Sequence, residues 1–74
     1  MAFTNMDLRI IRMRELEALI SLKRSTIYKK LNTDPSFPKP IPLSDSASPG
    51  APVGFLLSEV LAWIEGRLAK RAED

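Results

Sequence analysis

Residues 15–32, ELEALISLKRSTIYKKLN, leave this chain few folding options. Leu16, Leu19 and Ile20 stand at i, i+3 and i+4. On a helix turning ~100° per residue, that spacing puts them on one face. Ile27 and Leu31, four apart, give a second segment the same one-sided character. The two patterns lie too close in sequence for anything but short helices joined by a tight turn. Ile27 and Leu31 must then point at the first helix, and Leu22 plugs the turn between them. The pattern predicts helices over about 14–20 and 24–32. On the second helix, Ser25, Tyr28, Lys29 and Asn32 fall on the side away from Ile27 and Leu31, with Arg24 on the flank. Cations, a hydroxyl, an amide and a phenol on one outward face suit phosphates and base edges in a major groove. The plain alternative is a helical hairpin whose polar face simply meets water.

Charge distribution bears on that choice. The formal net charge is only +2. From Arg9 to Lys39, however, eight basic residues stand against three acidic ones, whereas residues 40–74 carry three basic and five acidic. The positive charge thus belongs to the two-helix segment, as an electrostatic footprint for nucleic acid requires. There is no cysteine and no histidine. That removes disulfides, thiolate metal sites, the usual zinc ligands and the commonest general base. No phosphate-binding glycine loop is present either, so no enzyme, cofactor or metal site is expected. No apolar run approaches the ~18–20 residues of a membrane span, and the N-terminus does not read as a signal peptide. A cytoplasmic protein is expected.

Seventy-four residues make one domain. Residues 1–8 carry little pattern and are expected to be flexible, and 9–72 form the domain. The segment Arg9-Ile-Ile-Arg-Met13 reads as a short strand or an extended lead-in, with Met13 stapling the first helix from outside its N-terminus. Residues 33–42 hold four prolines, which makes them an extended connector whose one large apolar group, Phe37, is expected to tuck into the core. Two short apolar segments, 41–43 and 53–55, flank a loop rich in turn residues and read as a β-hairpin over about 41–55. Pro42 and Pro52 confine its strands to short, edge positions. The clearest helix covers about 58–71, with Ser58 as N-cap and a stripe of Leu57, Val60, Leu61, Ile64 and Leu68. Trp63 flanks that stripe.

The residues Arg24-Ser-Thr-Ile-Tyr28, Phe37-Pro-Lys-Pro40, Val53-Gly-Phe55, Ser58-Glu-Val60 and Ala62-Trp63 occur in that order. In this order they resemble the AlpA family of prophage regulators, small relatives of the excisionase and MerR-type winged helices. The resemblance runs from about residue 9 to 71. It implies a mainly α protein with a small β-hairpin, a winged helix-turn-helix whose second helix reads DNA. Arg24, Ser25, Thr26, Tyr28 and Lys29 match the reading segment. Three positions depart from the family's pattern. Ser21 stands at the turn glycine, so a left-handed backbone there would be strained. Lys23 stands where a capping serine is usual and cannot accept the orphan N–H bonds. The wing loop, 44–52, has no basic residue and one Asp.

The reading is a sequence-specific regulator that binds double-stranded DNA in a prophage or mobile element. The candidate DNA-binding residues are Lys23, Arg24, Ser25, Thr26, Tyr28, Lys29, Lys30 and Asn32. Arg24 is the candidate for guanine, while Lys29 and Lys30 are candidates for phosphate. A domain this small contacts only a short site, so further copies on repeated sites are expected. Integrase and RNA polymerase are the protein partners the resemblance implies. Two alternatives stay open: an excisionase-like directionality factor that bends attachment-site DNA, and a protein-interaction adaptor using the Trp63 helix.

Overall fold

The computed structural model describes residues 8–46 and 48–73, with side chains through Arg71. The expected flexible start, apart from Leu8, falls outside the described residues. In chain order the elements are β1 (Ile10–Ile11), α1 (Met13–Ile20), α2 (Arg24–Thr33), β2 (Ile41–Pro42), β3 (Val53–Leu56) and α3 (Leu57–Glu73). Helix, tight turn, helix, hairpin and closing helix together make the winged helix-turn-helix that the sequence leads one to expect.

The sheet joins the segment before α1 to the hairpin. Its order is β1-β3-β2, all antiparallel. Ile10 pairs with Leu56 and Ile11 with Phe55 on one side; Ile41 pairs with Gly54 and Pro42 with Val53 on the other. The Arg9–Met13 segment therefore holds a true strand at Ile10–Ile11, and β3 is a central strand rather than an edge. Pro42 is tolerated because it lies on an outer strand, and Pro52 lies just outside β3. Gly54 answers a close approach: a Cβ there would collide with the Ile10 side chain and crowd the Ile11 carbonyl oxygen at 3.2 Å.

Beneath the sheet lies the core of Ile11, Leu16, Ile27, Phe37, Phe55 and Val60, with Met13, Ile20, Leu22, Leu31, Leu57, Trp63 and Ile64 packed against it. The connector delivers Phe37 through a local turn. The Asp34 carboxylate accepts from the Ser36 N–H at 2.9 Å and the Ser36 hydroxyl at 2.6 Å. The Phe37 N–H donates to the Asp34 carbonyl at 3.1 Å. Phe37 then meets Trp63 edge to face, ring centroids 5.0 Å apart.

Four local expectations need correction. Met13 is the first residue of α1, not a staple outside it, because Arg12 is still extended and its N–H reaches back to Glu15 Oε1 at 3.3 Å. Including Met13 rotates the buried face to Met13, Leu16 and Ile20, so Leu19 is exposed. Ser58 is the second residue of α3 rather than its cap. The helix springs directly from β3, and the Leu57 N–H donates to the Arg9 carbonyl at 2.8 Å. On α3 the buried line runs through Val60 with Trp63 and Ile64 alongside, which turns Leu61 and Leu68 outward. The 17 residues of α3 also outrun the small body, so Leu68 is 50% exposed.

The turn between α1 and α2 has the predicted strain. Ser21 sits at φ 57°, ψ 39°, the one non-glycine residue with positive φ among the described residues. Replacing it with glycine is expected to stabilise the fold by about 0.5–1 kcal/mol, the left-handed penalty less the entropy glycine gains in the unfolded chain. Urea melts would read this, and a destabilised variant would contradict it. Phe37→Ala is expected to cost ~3–5 kcal/mol, a large share of the ~5–15 kcal/mol of a typical domain. Leu68→Ala should stay within about 0.5 kcal/mol. Equal losses in the same melts would mean that the distal turns of α3 are docked. The Ser36 hydroxyl, then the Ser36 amide, hold the Asp34 carboxyl below its ordinary value of 3.8. Its contribution is therefore complete above 3.8 and is lost as pH falls through the lowered folded value. The melting-temperature gap between wild type and Asp34→Ala should be widest near neutrality and shrink in acid; a gap independent of pH would remove the carboxylate from the turn.

Candidate nucleic-acid interface

Helix α2 is held by one fully buried residue, Ile27, with Leu31 half-buried beside it. Its other faces follow from that anchor. Ser25, Tyr28, Lys29 and Asn32 are all exposed, and Tyr28 keeps 53% of its surface in water. The four residues expected to face outward therefore do share a surface. Asn32 Nδ2 donates to the Tyr28 carbonyl at 3.2 Å and Thr33 Oγ1 to the Lys29 carbonyl at 2.8 Å, one turn back along the helix, and the Asp34 N–H closes the end on the Lys30 carbonyl at 2.8 Å.

The start of α2 is open. Lys23 occupies the N-cap in extended geometry, and no side-chain acceptor caps the helix. The first helical bond runs from the Ile27 N–H to the Lys23 carbonyl at 3.0 Å. Backbone N–H groups at such an end attract anions. Lys23 and Arg24 are exposed beside it, while Thr26 is half-buried.

Two cations of α2 are engaged within the protein. Arg24 donates from Nε and Nη2 to Glu17 Oε2 at 3.3 and 3.1 Å, an ion pair that joins the first residue of α2 to the middle of α1. Lys30 turns the other way: its ammonium stands 5.7 Å from the Trp63 ring centroid, on the α3 side of the molecule. That is cation–π range, worth ~0.5–1 kcal/mol when exposed. Lys30 is therefore not grouped with Tyr28 and Lys29.

The wing loop is ordered by its own groups. The Ser46 N–H donates to Ser44 Oγ at 2.9 Å and the Ser48 N–H to Ser46 Oγ at 3.1 Å, while the Leu43 N–H closes the hairpin on the Pro52 carbonyl at 3.0 Å. The loop itself carries no cation, but Arg12 brings one to its base, where Nε donates to the Val53 carbonyl at 3.0 Å. Sequence reasoning counted Arg12 only within a basic segment. Its contact spans 41 positions along the chain, so no local signal could have located it.

Comparison with known proteins shows the family. The family described as "Prophage CP4-57 regulatory protein (AlpA)" matches residues 9–68. The chain is also similar to "Uncharacterized protein ORF88" of Enterobacteria phage P4, at 40% identity over 63 residues, 85% of this chain and 65% of that protein. The chain thus spans 65% of that relative's length. No solved structure matches it. Among the described residues, no helix is long and apolar enough to cross a membrane. With the match covering both helices of the turn, the hairpin and most of α3, this chain belongs to the AlpA family of prophage regulatory proteins.

Proposed function

We propose that this protein is a sequence-specific regulator that binds double-stranded DNA with α2 in the major groove. The observation that carries the reading is the division of α2. Ile27 is wholly buried, while Ser25, Tyr28, Lys29 and Asn32 share one exposed face next to an uncapped helix start. A helix entering a groove needs both: an apolar anchor to the body, and a polar face that meets phosphates and base edges. The helix start offers N–H groups and the positive end of the dipole to a phosphate. Lys29 supplies a mobile cation. Arg12 sets a further cation at the base of the wing.

The role is binding rather than catalysis. Grip by one small domain is limited, so copies on tandem or inverted short repeats would assist one another at a promoter. RNA polymerase would be the partner contacted or excluded. A footprint titration on the gene's own upstream region and on any nearby attachment site, with a reporter, tests this. Cooperative protection at the promoter with a reporter response supports the regulator. Protection only at the attachment site, with no reporter response, would transfer the role to an excisionase-like factor working with an integrase. A wild-type protein that protects neither, yet retains a protein partner, would favour an adaptor.

The phosphate assignment has a separate signature. Lys29→Ala should weaken binding to the preferred site and to random DNA alike, and lower the slope of log affinity against log salt by about 1. A loss confined to the preferred site would mean that Lys29 contacts a base instead.

A further inference from the structure

We propose that Glu17 is a positioning residue for base reading: it holds the Arg24 guanidinium by one edge and leaves the other edge presented to a planar pair of acceptors. This rests on the reading of α2 as the helix that enters the groove. A guanidinium carries five N–H donors in a rigid plane. Here Nε and Nη2, the two nitrogens of its side edge, both donate to the single oxygen Oε2 of Glu17, at 3.3 and 3.1 Å. One hydrogen of Nη1 and the second hydrogen of Nη2 are left at the end edge. That edge matches the O6 and N7 acceptors of guanine in a bidentate contact.

Exposure favours this division of labour. The Glu17 side chain is 29% exposed and the Arg24 side chain 52%, so the anchoring group is the more sheltered and the reading group the more open. The pair does not belong to a single helix. It joins positions seven apart, across the strained turn at Ser21, so it fixes Arg24 relative to α1. Half-exposed ion pairs of this kind add little stability, which makes holding the fold together a weak reason for it.

Charge gives the second argument. An unpaired arginine at a helix start is attracted to any phosphate, whatever the sequence. With the Glu17 carboxylate against it, the pair is close to neutral. It then gains little from phosphate charge alone and most from an acceptor pair that fits its free edge. Arginine also has many rotamers to lose when it binds, and Glu17 restricts them beforehand.

The test uses the full chain as wild type, Glu17→Ala, Arg24→Ala and the double variant, at a temperature where each is folded. Sites are selected from a random DNA pool, and affinity is measured for the preferred site and for random DNA. Arg24→Ala should erase preference at one base position. Glu17→Ala should lower that same preference by about tenfold while affinity for random DNA holds or rises, since a negative charge has gone. Adding Glu17→Ala to Arg24→Ala should change the selected sequence no further. A purely structural Glu17 would lower affinity for all sequences together and leave the preference intact, which would overturn the proposal. So would a Glu17→Ala effect that persists without Arg24. If Arg24→Ala itself leaves the selected sequence unchanged, Arg24 is not a reading residue and the proposal falls, although binding through Lys29 would survive. Absence of any wild-type binding would remove the DNA reading as a whole.

Discussion

The fold depends on a strand position that has no room for a side chain. Gly54 lies in the centre of β3 with Ile10 against it from β1 and Leu43 on the other flank. β3 pairs with both other strands and packs against α1 and α3. β1 leads into α1, β2 receives the chain from α2, and α3 begins where β3 ends. A two-residue strand has almost no stability alone. Here two such strands are held because both bond to the same central one, and β1 also sets Ile11 into the apolar core. A Cβ at Gly54 would push β1 away, and with it Ile11, one of the six buried core residues.

That architecture explains how a weak helix can be presented rigidly. α2 begins without a capping side chain and contains β-branched Thr26 and Ile27 and the poor helix formers Ser25 and Asn32. Its stability is therefore tertiary, supplied chiefly by Ile27 and Leu31 against the core. Confining the apolar contacts to one narrow line leaves the rest of the surface to polar groups. The same economy places strain at Ser21, where the chain must reverse direction in a few residues.

Electrostatics are less even than the formal charges imply. The basic segment loses part of its field to internal pairs: Arg24 lies against Glu17 at 3.1 Å, and Arg9 approaches Glu15 at 3.8 Å across a solvent-exposed gap. Lys30 stacks on Trp63 instead of joining the exposed face of α2. Such pairing leaves this segment with less unpaired positive charge than the formal count implies. The hairpin tip, stitched by serine hydroxyls and free of cations, leans the same way.

Much of this was legible in the sequence, because periodicity reports which face of a helix is wet. The spacing of Leu16, Ile20, Ile27 and Leu31 located both helices of the turn, four prolines marked the connector, and Val53-Gly-Phe55 marked the second wing strand. The left-handed Ser21 and the uncapped Lys23 followed from setting these positions against the family's glycine and serine. What periodicity cannot supply is the exact angle of a face, because that depends on what packs against it. Leu19, Leu61 and Leu68 turned outward since the core centres on Leu16 and Val60 and ends before the distal turns of α3. The pairing of β1 with β3, the reach of Arg12 to Val53, the turn of Lys30 toward Trp63 and the hold of Glu17 on Arg24 lie beyond any local pattern. Each joins residues from different elements. Only the docking of those elements brings such groups within bonding distance, so tertiary structure alone decided which cations remain open to a partner.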